Sequence, residues 1–283
     1  MTRRAFFLAF LPAFAGDFRL ARPGYNYQFP RDHFDHPDFQ TEWWYYIGNL
    51  RSAAGRRFGF ELTFFRHAVT ASSAGSTSWS VRDLFLAHAA LSDLDGGNFH
   101  FRERVHRAGP GLAGVSFSEG LIWNGNWQVR WEGDTQWLQA VTDKYALRLK
   151  LVPRKPPVIH GENGISRKGA GEGQASHYIS FTRLDASGTL ELDGERLALE
   201  GAAWMDHEFF TNQLAPEQTG WDWFSIQLDN GFDLMLFRLR RKDGSIDPYS
   251  HGTVVDAHGA GRHLHAQSPA PAIRSTGESS FHR

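Results

Sequence analysis

The chain of 283 residues contains no cysteine. That excludes a disulfide framework, a thiolate nucleophile and any zinc site built on cysteine. It does not fix the compartment, because an exported protein need not carry disulfides. An excess of charge of either sign is also missing: 30 Lys and Arg stand against 31 Asp and Glu. Nothing in that balance draws the whole molecule to nucleic acid or to an anionic membrane. No stretch sustains a helical period, and no internal apolar run approaches the about 20 residues that a membrane-crossing helix needs. Phosphate loops are absent as well. Gly164 and Gly169 have the Walker spacing, but Ala170-Gly171 follow where Lys-Ser/Thr would be required, and Gly169-Ala170-Gly171-Glu172-Gly173 fails the dinucleotide spacing.

Aromatic residues, by contrast, are abundant: 10 Trp and 23 Phe. They fall into runs that alternate with period 2, the mark of a strand with one buried face. Phe58, Phe60, Leu62 and Phe64 share a face, as do Trp127, Val129 and Trp131, and Tyr145, Leu147, Leu149 and Leu151. Similar runs cover Trp43–Leu50, Leu84–Leu94, His177–Leu184, Leu197–Met205, Trp221–Leu228 and Phe232–Leu239. Between the runs lie Asp95-Gly96-Gly97, Asn124-Gly125-Asn126, Asp193-Gly194, Asn230-Gly231 and Asp243-Gly244, residues that tolerate positive φ in hairpin turns. The expectation is an all-β protein, an up-and-down barrel or a sandwich. Pro153 to Ser176, rich in Gly, Pro and charge, reads as a flap over a barrel mouth or a disordered loop. After Gly252–Val255 the strand pattern ends, and 266–283 reads as a disordered tail. At the other end, Arg3-Arg4, a short apolar run from Ala5 to Leu11 and Ala13-Phe14-Ala15 read as a signal peptide over 1–15, of Sec or twin-arginine type, and hence as periplasmic export.

Two clusters carry candidate chemistry: Thr41-Glu42-Trp43-Trp44-Tyr45-Tyr46, and Trp204-Met205-Asp206-His207-Glu208-Phe209-Phe210 followed by Trp221-Asp222-Trp223-Phe224. If 203–209 is extended, Trp204, Asp206 and Glu208 share one face, and Met205, His207 and Phe209 the other. A carboxylic acid in an apolar pocket keeps its proton and can donate it, and an indole face stabilises a cation. Protonation of an isolated C=C bond needs both. Asp-His-Glu at a strand end is equally a polar rim that satisfies loop amides. His207, Glu208, His177 and His88 contain no His-Glu-x-x-His, and neither a metal nor a cofactor is expected.

Four segments in order resemble one family: Thr41-Glu42-Trp43-Trp44-Tyr45, Ser176-His177-Tyr178-Ile179-Ser180-Phe181-Thr182-Arg183, Gly201-Ala202-Ala203-Trp204-Met205-Asp206-His207-Glu208, and Gly220-Trp221-Asp222-Trp223-Phe224-Ser225-Ile226-Gln227-Leu228. The resemblance is to the carotenoid 1,2-hydratase (hydroxyneurosporene synthase) family, also known for its AttH-type lipocalin-like domain, over roughly Tyr25 to Leu264. It implies two lipocalin-like barrels with an apolar pocket in or between them. Here that becomes a first barrel over 25–212 and a truncated second lipocalin-like sheet over 213–265, since only about three strand signals follow Gly220. Some members hydrate the terminal isoprene bond of acyclic carotenoids, and exported relatives accompany ABC transporters. Carried over, the resemblance makes Asp206 the proton donor, with Trp204, His207 and Tyr178 around the cation; Glu208, on the face shared with Asp206, joins Asp206 and His207 as a candidate catalytic residue. Trp43, Trp44, Tyr178, Trp204, Trp221 and Trp223 become the ligand-binding residues. The expected function is an exported binder of an apolar isoprenoid or lipid in an aromatic-lined pocket; the alternative is a cofactor-independent carotenoid 1,2-hydratase. An ABC transporter is the partner the resemblance implies, and nucleic acid is not one.

Overall fold

In a computed structural model, which describes residues 18–71 and 81–265, the alternating runs are strands, joined by tight turns. The positions read as a signal peptide (1–15) and as a disordered tail (266–283) lie outside the described residues. In chain order the strands are β1 (Thr41–Ser52), β2 (Arg57–Ala68), β3 (Asp83–Asp93), β4 (Asn98–Arg107), β5 (Ala113–Ser116), β6 (Leu121–Asn124), β7 (Trp127–Glu132), β8 (Thr135–Val141), β9 (Tyr145–Pro153), β10 (Val158–Ile159), β11 (Ser166–Arg167), β12 (Ala175–Leu192) and β13 (Glu195–Phe210) in the first sheet. The second sheet holds β14 (Gln218–Gln227), β15 (Asp233–Arg241), β16 (His251–Val255) and β17 (Gly261–His265). Among the described residues the only helical element is a 3-10 turn, Arg31–His33.

The first sheet runs β4-β3-β2-β1-β13-β12-β9-β8-β7-β6-β5, with β10 and β11 added to β12. It curls into a nearly closed antiparallel barrel. Its two ends meet through side chains: Asn124 donates from Nδ2 to the Phe85 carbonyl at 3.1 Å, His106 Nδ1 lies 2.5 Å from Asn124 Oδ1, and Arg104 donates to the Asn124 carbonyl at 3.3 Å. Even-numbered residues of β1 and β2 and odd-numbered residues of β9 point inward, as the alternation requires. Trp44, Tyr46, Phe58, Phe60, Phe64, Trp127, Trp131, Leu149, Phe181 and Met205 belong to one continuous core that fills the barrel.

The second sheet, β14-β15-β16-β17, lies against the outer face of β12 and β13. It has four strands where three were expected, because β17 follows Val255, the position at which the strand pattern ends. Arg262-His263-Leu264-His265 carries one apolar residue, too few to show an alternation; Leu264 is nonetheless buried. Tyr178 and Trp204 of the barrel form one apolar cluster with Met235, Phe237 and Leu239 of β15. The ladder of β12 shifts register between Phe181 and Leu184. Gln227 donates its amide to the carbonyls of Thr182 (2.8 Å) and Ala203 (3.0 Å), satisfying backbone groups there.

Neither reading of Pro153 to Ser176 holds. The segment is a packed connection carrying β10 and β11, and Lys155, His160, Ser166 and Lys168 are all buried beneath the second sheet. Its polar residues have partners far away in sequence. Lys155 Nζ donates to Asp233 Oδ2 at 2.6 Å, and Asp233 also accepts from Thr182 (2.8 Å) and Arg183 (2.7 Å). Asp233 therefore fastens the second sheet to the barrel. Asp233→Asn keeps the shape and removes the charge that Lys155 and Arg183 share. It is expected to lower the unfolding free energy by about 2 kcal/mol, the scale of charged hydrogen bonds. Urea unfolding checks this; an unchanged midpoint would show that the ion cluster contributes nothing to docking.

Candidate functional site

β13 sorts the nominated residues onto two sides of the barrel wall. Trp204, Asp206 and Glu208 point outward beneath the second sheet, where Tyr178 and Ser180 of the neighbouring β12 meet them. Asp206 is 4% exposed. Its Oδ2 accepts from the Tyr178 hydroxyl at 2.7 Å. Its Oδ1 accepts from Trp204 Nε1 at 2.6 Å and from the Ser180 hydroxyl. Burial raises the Asp206 carboxyl to about 7, against the lowering effect of these donors. Near neutral pH it is thus poised between acid and carboxylate. Trp223 Nε1 from β14 donates to the Tyr178 hydroxyl at 3.0 Å, so the second sheet completes the group.

Glu208 lies one step along the same face. It accepts from Ser176 at 2.5 Å and from Gln213 at 3.3 Å, and Lys168 Nζ is 3.7 Å away. Burial pushes Glu208 up and Lys168 down, each toward its neutral form. Lys168 also donates to Ser166 at 2.7 Å and sits 3.9 Å from the centre of the Phe237 ring. His160 links Ser180 (2.7 Å) to Thr253 (2.8 Å).

His207 and Trp44 are on the inner side, apart from Asp206. They stack at 4.9 Å, and His207 Nε2 lies 2.8 Å from Glu42 Oε1. Glu42 is fully buried at the barrel end. There it accepts from the His36 backbone N–H (2.8 Å) and from Arg66 Nε (3.1 Å), with His36 Nδ1 at 2.6 Å. Burial alone would raise its carboxyl, but the His36 charge, the bonds from His207 and His36, and Arg66 hold it well below the usual carboxylate range. Each carboxylate oxygen of Glu42 is engaged in this structural network, while His207 Nδ1 is buried without a hydrogen bond.

Trp43, Trp221 and Trp223 form a different surface. Trp43 stacks on Trp221 at 6.4 Å with an interplanar angle of 18°. Trp43 also meets Phe210 at 5.0 Å, and Tyr45 meets Trp223 at 5.5 Å. Trp221 is 41% exposed, so this aromatic face, where β14 passes β1, is open to solvent. It ends on Trp223, whose indole reaches Tyr178 and through it Asp206. A separate cleft of about 380 Å³ opens beside Asp134, Pro153, Lys155, Pro157 and Phe181, and none of the nominated residues lines it. Ser180, Lys168, His160, Arg66 and His36 belong to these groups without having been nominated. Ser180 was legible, two residues after Tyr178 on the same strand face. Lys168 and His160 lie in a segment with no periodic signal.

The architecture is that of a lipocalin-like barrel carrying a small second sheet across its outer face, with a buried carboxyl at the junction. The profile of the AttH-like family matches residues 20–279, and the chain belongs to that family. A crystal structure of a Nitrosomonas europaea protein assigned to AttH is 33% identical, with a TM-score of 0.81 over 92% of this chain and 80% of that one. Kievitone hydratase from Nectria haematococca is 13% identical, with a TM-score of 0.60 over 81% of this chain and 65% of that one. The second likeness is one of fold. No curated protein matches the sequence.

Proposed function

We propose that the protein binds an apolar isoprenoid or lipid on the open aromatic face between β1 and β14. One observation carries this reading: Trp43 and Trp221 lie nearly parallel and partly exposed, while the barrel interior is filled by its own side chains. Flat, rigid rings that give up little entropy on binding suit a long apolar molecule laid across them. The N-terminal segment, read as an export signal, extends the proposal to the periplasm, with an ABC transporter as partner. In the test, retinoids, carotenoids and fatty acids are titrated against tryptophan fluorescence. Saturable quenching is expected, with the affinity of Trp221→Ala about tenfold lower, as for loss of one aromatic anchor. Absence of quenching by every ligand, or equal affinity in the variant, would remove this face as the site.

A second reading is favoured by Asp206 itself. A neutral carboxyl beside indole and phenol rings suits hydration of an isolated C=C bond, the carotenoid 1,2-hydratase reaction. The Asp206 proton adds to one alkene carbon, the aromatic rings hold the cation, water adds to the other carbon, and the water's proton returns to the carboxylate. The step needs no redox partner. The hydratase in the name of the Nectria protein is compatible with this chemistry, although that likeness carries only the fold.

A further inference from the structure

A second meeting of titratable side chains lies at the outer strand of the second sheet, away from Asp206. His263 and His265 are two apart on β17, so both leave the same side of the strand. Glu162 reaches them from the connection between β9 and β12. One donor atom from each of the three residues lies within 4.8 Å of the others, and Glu162 Oε1 is 3.6 Å from His265 Nε2. Glu162 is held by a tight turn. Glu162 and Ile165 exchange backbone hydrogen bonds of 3.0 and 3.2 Å, across Asn163 (φ 52°) and Gly164 (φ 79°). Positive φ at both central positions defines a two-residue turn that suits Asn-Gly. The Tyr27 hydroxyl pins it further by donating to the Gly164 carbonyl at 2.9 Å.

Behind these residues stands His251, paired across the ladder with His265. Its ring centre is 4.6 Å from that of His263. The Nδ1 atom of His263 is buried and makes no hydrogen bond, and His251 Nε2 lies 3.1 Å from the Ser166 hydroxyl.

We propose that Glu162, His263 and His265 bind one divalent transition-metal ion of the zinc class, with His251 in reserve behind them. Two imidazoles and a carboxylate are the donor set of zinc and cobalt rather than of calcium or magnesium. The Glu162 and His265 side chains are 60% and 63% exposed, so the ion has a path in. Both can rotate by the ångström or so needed to bring donors to about 2.1 Å from the metal. The bound ion would tie β17, an edge strand, to the turn of the β9–β12 connection.

The test uses untagged protein, stripped with chelator and titrated with Zn²⁺ by calorimetry and with Co²⁺ by visible absorption. One saturable equivalent is expected, reversed by chelator, with a higher Tm for the loaded protein and d–d bands of low-coordinate cobalt. His265→Ala and Glu162→Gln change exposed side chains and should leave the circular dichroism spectrum unaltered. Each should weaken Zn²⁺ binding at least about tenfold and abolish the rise in Tm. Failure of the wild-type protein to bind one saturable equivalent would overturn the proposal. So would undiminished binding by the double variant Glu162→Gln/His265→Ala, which would place the ion elsewhere, for instance at His36, Glu42 and His207.

Discussion

Replacing Arg66 by methionine is expected to lower the unfolding free energy by about 3–5 kcal/mol, the cost of stripping one partner from a buried ion pair. The Arg66 guanidinium is almost fully buried and uses most of its fork. Nε donates to Glu42 at 3.1 Å, Nη1 to Asp83 at 3.0 Å, and Nη2 to the carbonyls of His36 (2.9 Å) and Phe39 (2.7 Å). Methionine fills the space but leaves Glu42 with less compensation for its burial. In a protein of this size the loss corresponds to a Tm lowered by roughly 10 °C. Arg66→Lys keeps a charge without the planar fork and should fall between the two. The pH dependence provides a second readout. Because the native Glu42 carboxyl is held down, its stabilisation is present above the unfolded-state value and is lost as pH falls toward the native one. Arg66→Met should flatten that acid limb. A loss under about 1 kcal/mol would show the network to be dispensable.

On the hydratase reading, Asp206→Asn is expected to abolish hydration of an acyclic carotenoid and leave ligand binding intact; on either reading it should change the pH profile of stability in the opposite sense. The native carboxyl keeps its proton to about 7, whereas the unfolded chain releases it near 4. Between those values the native state binds more protons, so stability falls as pH rises through this window. The fall is on the order of 4 kcal/mol at most, and in the asparagine variant it should vanish. Urea unfolding at pH 5 and pH 8 measures it; identical slopes in both proteins would contradict a raised Asp206. The chemical arm uses neurosporene or lycopene. Turnover that survives in the variant would reject Asp206 as the acid. An inactive wild type beside an active relative would reject the hydratase reading for this chain.

Much of this could be read before the structure. The face shared by Trp204, Asp206 and Glu208 follows from two-residue periodicity alone, and Asp193-Gly194 does form a turn with both φ angles positive. The inward rows of β2 and β9 were equally plain, whereas the unbroken aromatic run of β1 hides which of Trp43 and Trp44 faces inward. What escaped had its cause elsewhere in the chain. Lys155, His160 and Lys168 look like loop residues until Asp233, Thr253 and Glu208 are brought to them. β17 hides because Leu264 is its one apolar residue, flanked by histidines, too little to show an alternation. Whether Trp44 and Trp127 line a cavity or fill it is a question of volume, which alternation does not encode.

The pairing of β1 with β13 joins Thr41 to Phe210 across most of the barrel's length in sequence. At about 5–20 residues per second of synthesis, some 10–30 s separate the emergence of the two partners. Through that interval one side of Trp43, Trp44, Tyr45 and Tyr46 has only β2 to pair with. Its other edge, aromatic and with free amides, is open to any passing strand. The step that completes the wall is therefore its longest loop closure, and topology of this kind folds slowly. The newborn chain is most exposed to misassembly at the same residues that later lie at the centre of the finished sheet.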